Sequence, residues 1–302
     1  MRTLIGAIIG LAVTLSACVQ ASKQDLPEAA TCGANDPIGR FNPSTDVFFT
    51  HFDIKTDTDD LHSAAAVATL LAHPRFKCVD YYAVSGTYGI QVGEYVDPGP
   101  LFADAFSERW LDAHTSRTAA IETLGLKAAD IMGEGGHIWI MEGGQSDVSA
   151  GALRHALSLA PDLPAKTHFH VVQHSDWNER VTSPGALAFL KAQADYIKIE
   201  DGNVVGNGTP GFNTPSGDAW PALLADPETG AIWQQARTLG LAANGTGSTD
   251  ETIATGGYNN PSIGAGGLDF SDAAEAAWIF GYEDLADVDA FVATFAATTG
   301  QP

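Results

Sequence analysis

The chain has 302 residues, 37 of them acidic against 15 basic, for a formal charge of −22, and 45% of it is hydrophobic. A surface this acidic repels phosphate backbones and no basic stripe interrupts it, which argues against nucleic acid as a partner. Apolar content on that scale can build one large core, so one main domain is expected rather than two.

Residues 1–18 read as a targeting segment. Arg2 gives a basic start, Leu4 to Leu15 give an apolar run of twelve, and "LSAC" closes it at Cys18. Twelve residues are too few to cross a bilayer as a mature helix but fit a signal-peptide core. The tetrapeptide resembles the bacterial lipoprotein cleavage box. That resemblance implies lipidation of Cys18 and export to the bacterial envelope, at the periplasmic face of the outer membrane, with the lipid as the sole membrane attachment. An ordinary secretory signal cut nearby is the alternative. Cys32 and Cys78 then remain as an even pair in an oxidising compartment, where a disulfide between the amino-terminal arm and the domain is expected rather than a metal site.

Residues 19–45 are polar and contain Pro, Gly and Asn, as a tether would, and 46–302 form the single domain. Short β-rich runs then alternate with helical ones. "DVFFTHFDI" predicts a strand and "DDLHSAAAVATLLA" a helix whose aspartates favour its positive amino-terminal end. "CVDYYAVSG" predicts a second strand, followed by a helix through "PLFADAFSERWLDAH". "HIWIME" and "SDVSAGALRHALSLA" form the next strand and helix, "THFHVVQH" and "PGALAFLKAQA" another pair, and "DYIKIED" a short fifth strand. This alternation, with continuously apolar strands, predicts an α/β fold with a mostly parallel central sheet and helices on both faces. The last third is rich in Gly, Asn and Thr and reads as functional loops before two closing helices. There is no internal repeat.

Ligands gather at the carboxyl ends of strands in such sheets. Four aspartates, Asp53, Asp57, Asp59 and Asp60, crowd one such end, and "MEGGQSD" (141–147) and "QHSDWNE" (173–179) occupy two others. Like charge this dense calls for solvent, a cation or a polyhydroxylated ligand to offset it. Asp59, Asp60 and Asp272 also suit helix starts with no chemical purpose. His168 and His170 share a strand face and read as structural, whereas His174, Asp176, Trp177 and Asn178 fall where a ligand would sit. Trp177, Trp220 and Tyr258 stand in surroundings where a ring could stack on a sugar or base. Phosphate-loop, zinc-protease, nucleophile-elbow, dinucleotide and EF-hand patterns all fail on residue or context.

"DIKTDTDDLHSAAAVATLL" (53–71) resembles the aspartate-rich first loop of the nucleoside hydrolase superfamily, closest to its branch of hydrolase-like proteins with Asp-Ile followed by Asp-Asp. "IWIMEGGQSDVSAGALRHAL" (138–157) and "GLDFSDAAEAAWIFG" (267–281) resemble its Gly-rich turn and its late Asp-bearing helix start. The resemblance implies hydrolysis of a glycosidic bond in an N-ribosyl or related sugar substrate, by water activated at a calcium ion. Asp53, Asp60, Asp272 and the Ser146 carbonyl would hold the ion. Asp57 or Asp59 would serve as base, with Asp59 also accepting from sugar hydroxyls. His174, Asp176, Asn178 and Asn213 would bind substrate, the last through a faint match of Phe212 and Asn213 to the family's Phe-Asn segment. One position departs from the pattern: Lys55 stands where the hydrolases carry an aspartate that is both ligand and base. A protonated lysine cannot do either job, so a carbohydrate- or nucleoside-binding protein without turnover is the alternative.

Overall fold

The computed structural model describes residues 36–55, 58–245 and 259–296. Asp57, Cys18, Cys32 and Tyr258, singled out above, lie outside them. The predicted alternation forms, with more elements than expected, as strand β1 (Val47–Phe52), helix α1 (Asp59–Ala72), β2 (Asp80–Ser85), α2 (Gly99–Phe106), the unpredicted β3 (Trp110–Asp112) and α3 (Arg117–Gly133), then β4 (Ile138–Gly143) and α4 (Asp147–Leu159). It continues through α5 (Ala165–His168), β5 (Phe169–Gln173), α6 (Asp176–Val181), α7 (Pro184–Gln193) and β6 (Asp195–Lys198). The last third adds β7 (Asn213–Thr214), α8 (Trp220–Ala225), α9 (Gly230–Ala243), α10 (Pro261–Gly264), β8 (Leu268–Asp269), α11 (Ala273–Ile279) and α12 (Val288–Phe295).

Strands β1 to β6 make one all-parallel sheet in the order β3-β2-β1-β4-β5-β6. β1 lies at its centre, and every one of its residues is buried because helices cover both faces. Its side chains alternate between two cores. Phe48 and Phe52 enter a layer with Leu61, Phe102, Trp233 and Phe280, while Val47 and Phe49 enter one with Leu124, Leu153 and Leu190. Parallel register makes the strands finish level: Phe52 pairs with Ser85 on one side and with Gly143 on the other. The order reverses between β1 and β4, and this opens a crevice at the carboxyl end of the sheet.

Three expectations change. The helix predicted to run to His114 ends at Phe106, where Ser107 takes a positive φ of 50°, and Trp110–Asp112 become the edge strand β3 beside β2. The tether expected through residue 45 is already domain at its end, since Ile38 and Phe41 are buried and Phe41 packs edge-on against Phe280 at 5.4 Å. The final third is also more regular than its loops suggested, with α9 spanning 14 residues. Cys78 is disulfide-bonded. Among the described residues no helix is long and apolar enough to cross a membrane.

Candidate functional site

The crevice holds a hollow of about 60 Å3 lined by Asp53, Asp59, Asp60 and Asp272, by His174, Asn178 and Asn203, and by Gly143, Ser175 and Ser271. That volume suits an ion with part of its water shell, or a few waters. Acids from the first loop and from the late helix start, more than 200 positions apart in the chain, therefore share one wall-to-wall space.

Each acid is held by its own neighbours. β1 ends at Phe52, and the chain turns at Ile54, a buried β-branched residue with a φ of 51°. A non-glycine residue in that region costs roughly 1–2 kcal/mol, and local bonds hold it there. The Asp60 carboxylate accepts from the Ile54 amide at 2.6 Å, while the Ile54 carbonyl accepts from the Val96 amide at 3.0 Å. Asp60 is thus a clamp on the turn that aims Asp53. The Asp53 carboxylate accepts from the Lys55 amide at 2.8 Å and from the Gln145 side-chain amide at 2.6 Å. Gln145 also bonds the Asn178 amide oxygen at 3.1 Å, which ties the β1, β4 and β5 ends together. Gly144 lets the backbones approach: a Cβ there would fall 2.8 Å from the Asp53 nitrogen.

Asp272 accepts from the Ser63 hydroxyl at 3.0 Å through one oxygen and meets His174 Nε2 at 3.1 Å through the other. Burial opposes charge on the His174 ring, but hydrogen bonds to Asp201 and Asp272 and the fields of Glu275 and Asp272 outweigh it, lifting the pKa to about 10. The Gly202 amide also points at His174 Nδ1, at 3.1 Å, an arrangement that suits the singly protonated ring. An imidazolium must turn Nδ1–H towards Asp201, 3.5 Å away. Beneath this pair lies Glu275, fully buried, whose carboxyl is raised well above the usual range by burial despite the opposing pull of His174. One of its oxygens accepts from the His174 amide at 2.8 Å, while the other is a buried atom with no hydrogen-bond partner. Ser271 Oγ, on the hollow's lining, is likewise buried without one.

The structure brings together Asp53, Asp59, Asp60, Asp272, His174 and Asn178, but not every residue singled out from the sequence. Asp176 points to solvent and pairs with Lys198 at 2.6 Å. Asn213 bonds Asp269 at 2.7 Å and Asn203 at 2.7 Å, so it supports the lining rather than forming it. The Ser146 carbonyl accepts the Ala150 amide at 2.9 Å, the first helical bond of α4, and Ser146 does not line the hollow, whereas Gly143 does. Lys55 turns away, its ammonium 4.1 Å from the centre of the Tyr88 ring. Burial first, and Arg117 next to it, lower its pKa against the pull of Asp53. His170 proves structural: it stacks on Trp139 at 3.9 Å and bonds Asp195 at 2.8 Å. Gln145, Asn203, Ser271 and Glu275 went unnoticed in the sequence. Gln145, Ser271 and Glu275 did lie inside singled-out segments, the Gly-rich turn and the stretch 267–281, whereas Asn203 carried no signal.

The lining offers hard oxygen donors, which suit calcium in kind. Their existing partners do not exclude an ion, because each carboxylate oxygen has two lone pairs and ligating carboxylates are commonly oriented by such bonds. As they stand, however, no three His, Cys, Asp or Glu side chains among the described residues form a ready-made metal cage. Comparisons with family models, curated proteins and solved structures returned no match.

Proposed function

We propose that the hollow is the active site of a nucleoside-hydrolase-like enzyme that cleaves a glycosidic bond in an N-ribosyl or related sugar substrate. The observation that carries this reading is the convergence of four carboxylates with two carboxamides at the switch point of a parallel sheet. Carboxylates accept from vicinal hydroxyls and carboxamides both donate and accept, so together they suit a ring bearing several hydroxyl groups. Asp59, which lines the hollow, is partly buried and accepts from the Asp60 amide at 2.9 Å, is the side chain we assign to a sugar hydroxyl or to the attacking water's proton. Asp53, Asp60 and Asp272 would hold calcium, which when bound supplies a lowered water pKa and a fixed position for that water. Gln145, Ser63 and His174 orient these carboxylates. The export signal and lipidated Cys18 are part of the same proposal.

A second reading, sugar binding without turnover, is favoured by Lys55, whose side chain leaves the position of the expected base and rests on Tyr88. Assays on nucleosides and simple glycosides, with and without chelator and alongside elemental analysis, separate the two. Chelator-sensitive turnover supports the enzyme. Sugar binding with no turnover, joined by gain of hydrolysis in Lys55→Asp, supports the binding protein. Neither turnover nor sugar binding rejects both.

A further inference from the structure

Beyond Ile54 the chain leads away from the acidic hollow into a group of the opposite character. Lys55 Nζ lies 4.1 Å and Arg117 Cζ 5.3 Å from the centre of the Tyr88 ring. Beside them Tyr95 and His114 stack face to face at 3.9 Å with planes 2° apart, and the Tyr88 hydroxyl meets His114 Nδ1 at 3.0 Å. These residues follow the ends of β1, β2 and β3, so they stand on the same edge of the sheet as the hollow and on the other side of β1.

The group is built rather than loose. The Gln91 amide donates to the Lys55 carbonyl at 2.6 Å, Lys55 and Tyr95 form a backbone bridge, and Arg117 donates to the Tyr88 carbonyl at 2.6 Å. Gly89 donates to Gln145 Oε1 at 3.0 Å, and Gln145 in turn holds Asp53, which joins the ridge to the wall of the hollow. In a chain of charge −22, Lys55 and Arg117 stand close enough to repel, and among the described residues neither has a carboxylate within 4 Å. Asp53 acts on Lys55 from beyond that distance and is itself held by Gln145, while Asp112 accepts from the His114 and Thr115 amides at 2.9 and 3.2 Å and Asp97 from Gly99 at 2.9 Å. Ile90 and Val92 on the same loop are 47% and 41% exposed, which gives the ridge an apolar border.

Two cations held over an aromatic face, with no carboxylate among the described residues in ion-pair contact with either, suit an anionic oxygen group such as phosphate or carboxylate. We propose that the Lys55–Arg117–Tyr88 ridge is a second subsite that takes an anionic group of the ligand whose sugar occupies the hollow, so that the preferred ligand is a phosphorylated or acidic sugar compound rather than a neutral one. The inference rests on the sugar reading of the hollow, and its test is arranged to fail separately.

Calorimetric titration with ribose and with ribose 5-phosphate is the measurement, on the wild type and on a Lys55→Gln/Arg117→Gln double variant, with inorganic phosphate as a third titrant. The wild type is expected to prefer the phosphorylated sugar by about tenfold or more, the worth of one charge-assisted contact. The preference should fall below about twofold in the double variant and shrink with added salt. Should the double variant not fold, Arg117→Gln alone carries the test through a partial loss. Equal wild-type affinity for the two sugars overturns the anionic subsite and leaves the hollow reading standing. Absence of binding by either sugar removes the hollow reading, and the ridge is then judged on inorganic phosphate: binding lost in the variant supports it, and binding kept by the variant overturns it.

Discussion

Asp59 and Asp60 are adjacent and chemically identical, yet they do different work. Asp60 is 1% exposed and clamps a left-handed turn, whereas Asp59 is only partly buried and faces the hollow. Asp60→Asn keeps the shape but removes the charge from the bond to Ile54, so a loss of about 1–3 kcal/mol in urea unfolding is expected along with lost ligand binding. Asp59→Asn should stay within about 0.5 kcal/mol of wild type while still weakening sugar affinity. Equal stability losses in the two variants would show that Asp60 does not clamp the turn. The sequence could not separate these roles, since both residues sit at a helix start and the distinction is made by the turn at Ile54, where no glycine announces a positive φ.

At the level of elements, the level ends of β1, β4 and β5 make the hollow, and Gly144 sets how closely they meet. A methyl at Gly144 would fall 2.6 Å from Thr87 Oγ1 and 2.8 Å from Asp53 Cβ. Gly144→Ala is therefore expected to cost about 1–3 kcal/mol and to abolish ligand binding. Gly185→Ala in the first turn of α7 meets open space and should be neutral or slightly stabilising, which thermal unfolding of the two variants checks. The alternation of strands and helices was legible because continuous apolar runs and alanine-rich helices follow each other with clear punctuation. β3 was not, because α2 ends at a serine instead of at Gly or Pro. α3 and α9 were not predicted either, although the buried stripe Ala120, Leu124, Ala128 and Met132 and the set Ile232, Trp233, Ala236 and Gly240 follow a helical period. Of the site, the carboxylates were readable as a cluster. Asn203 was not, and Ser271 and Glu275, although inside the quoted stretch 267–281, gain meaning only when the fold closes around them.

Across the whole molecule, pH acts at both ends of the sheet. At the amino-terminal end His137 and His170 share a hydrogen bond of 2.8 Å, and burial is the first cause that lowers both pKa values below the ordinary 6.5. A histidine depressed in the folded state binds its proton more readily when unfolded. The stability it confers is thus complete above about pH 6.5 and declines as pH falls towards the folded-state values. The urea midpoint should drop from pH 7 to pH 5, and His170→Gln should flatten that slope; a slope unchanged by the substitution would assign the acid loss to other groups. Residues 38–41 dock beside Phe280 at the far edge, where β1 begins, and β1 then rises roughly 20 Å before Asp53 appears. The described chain therefore enters the domain from the end of the sheet opposite the hollow, and the rim that carries Asp53 stands at the far end of β1 from that entry.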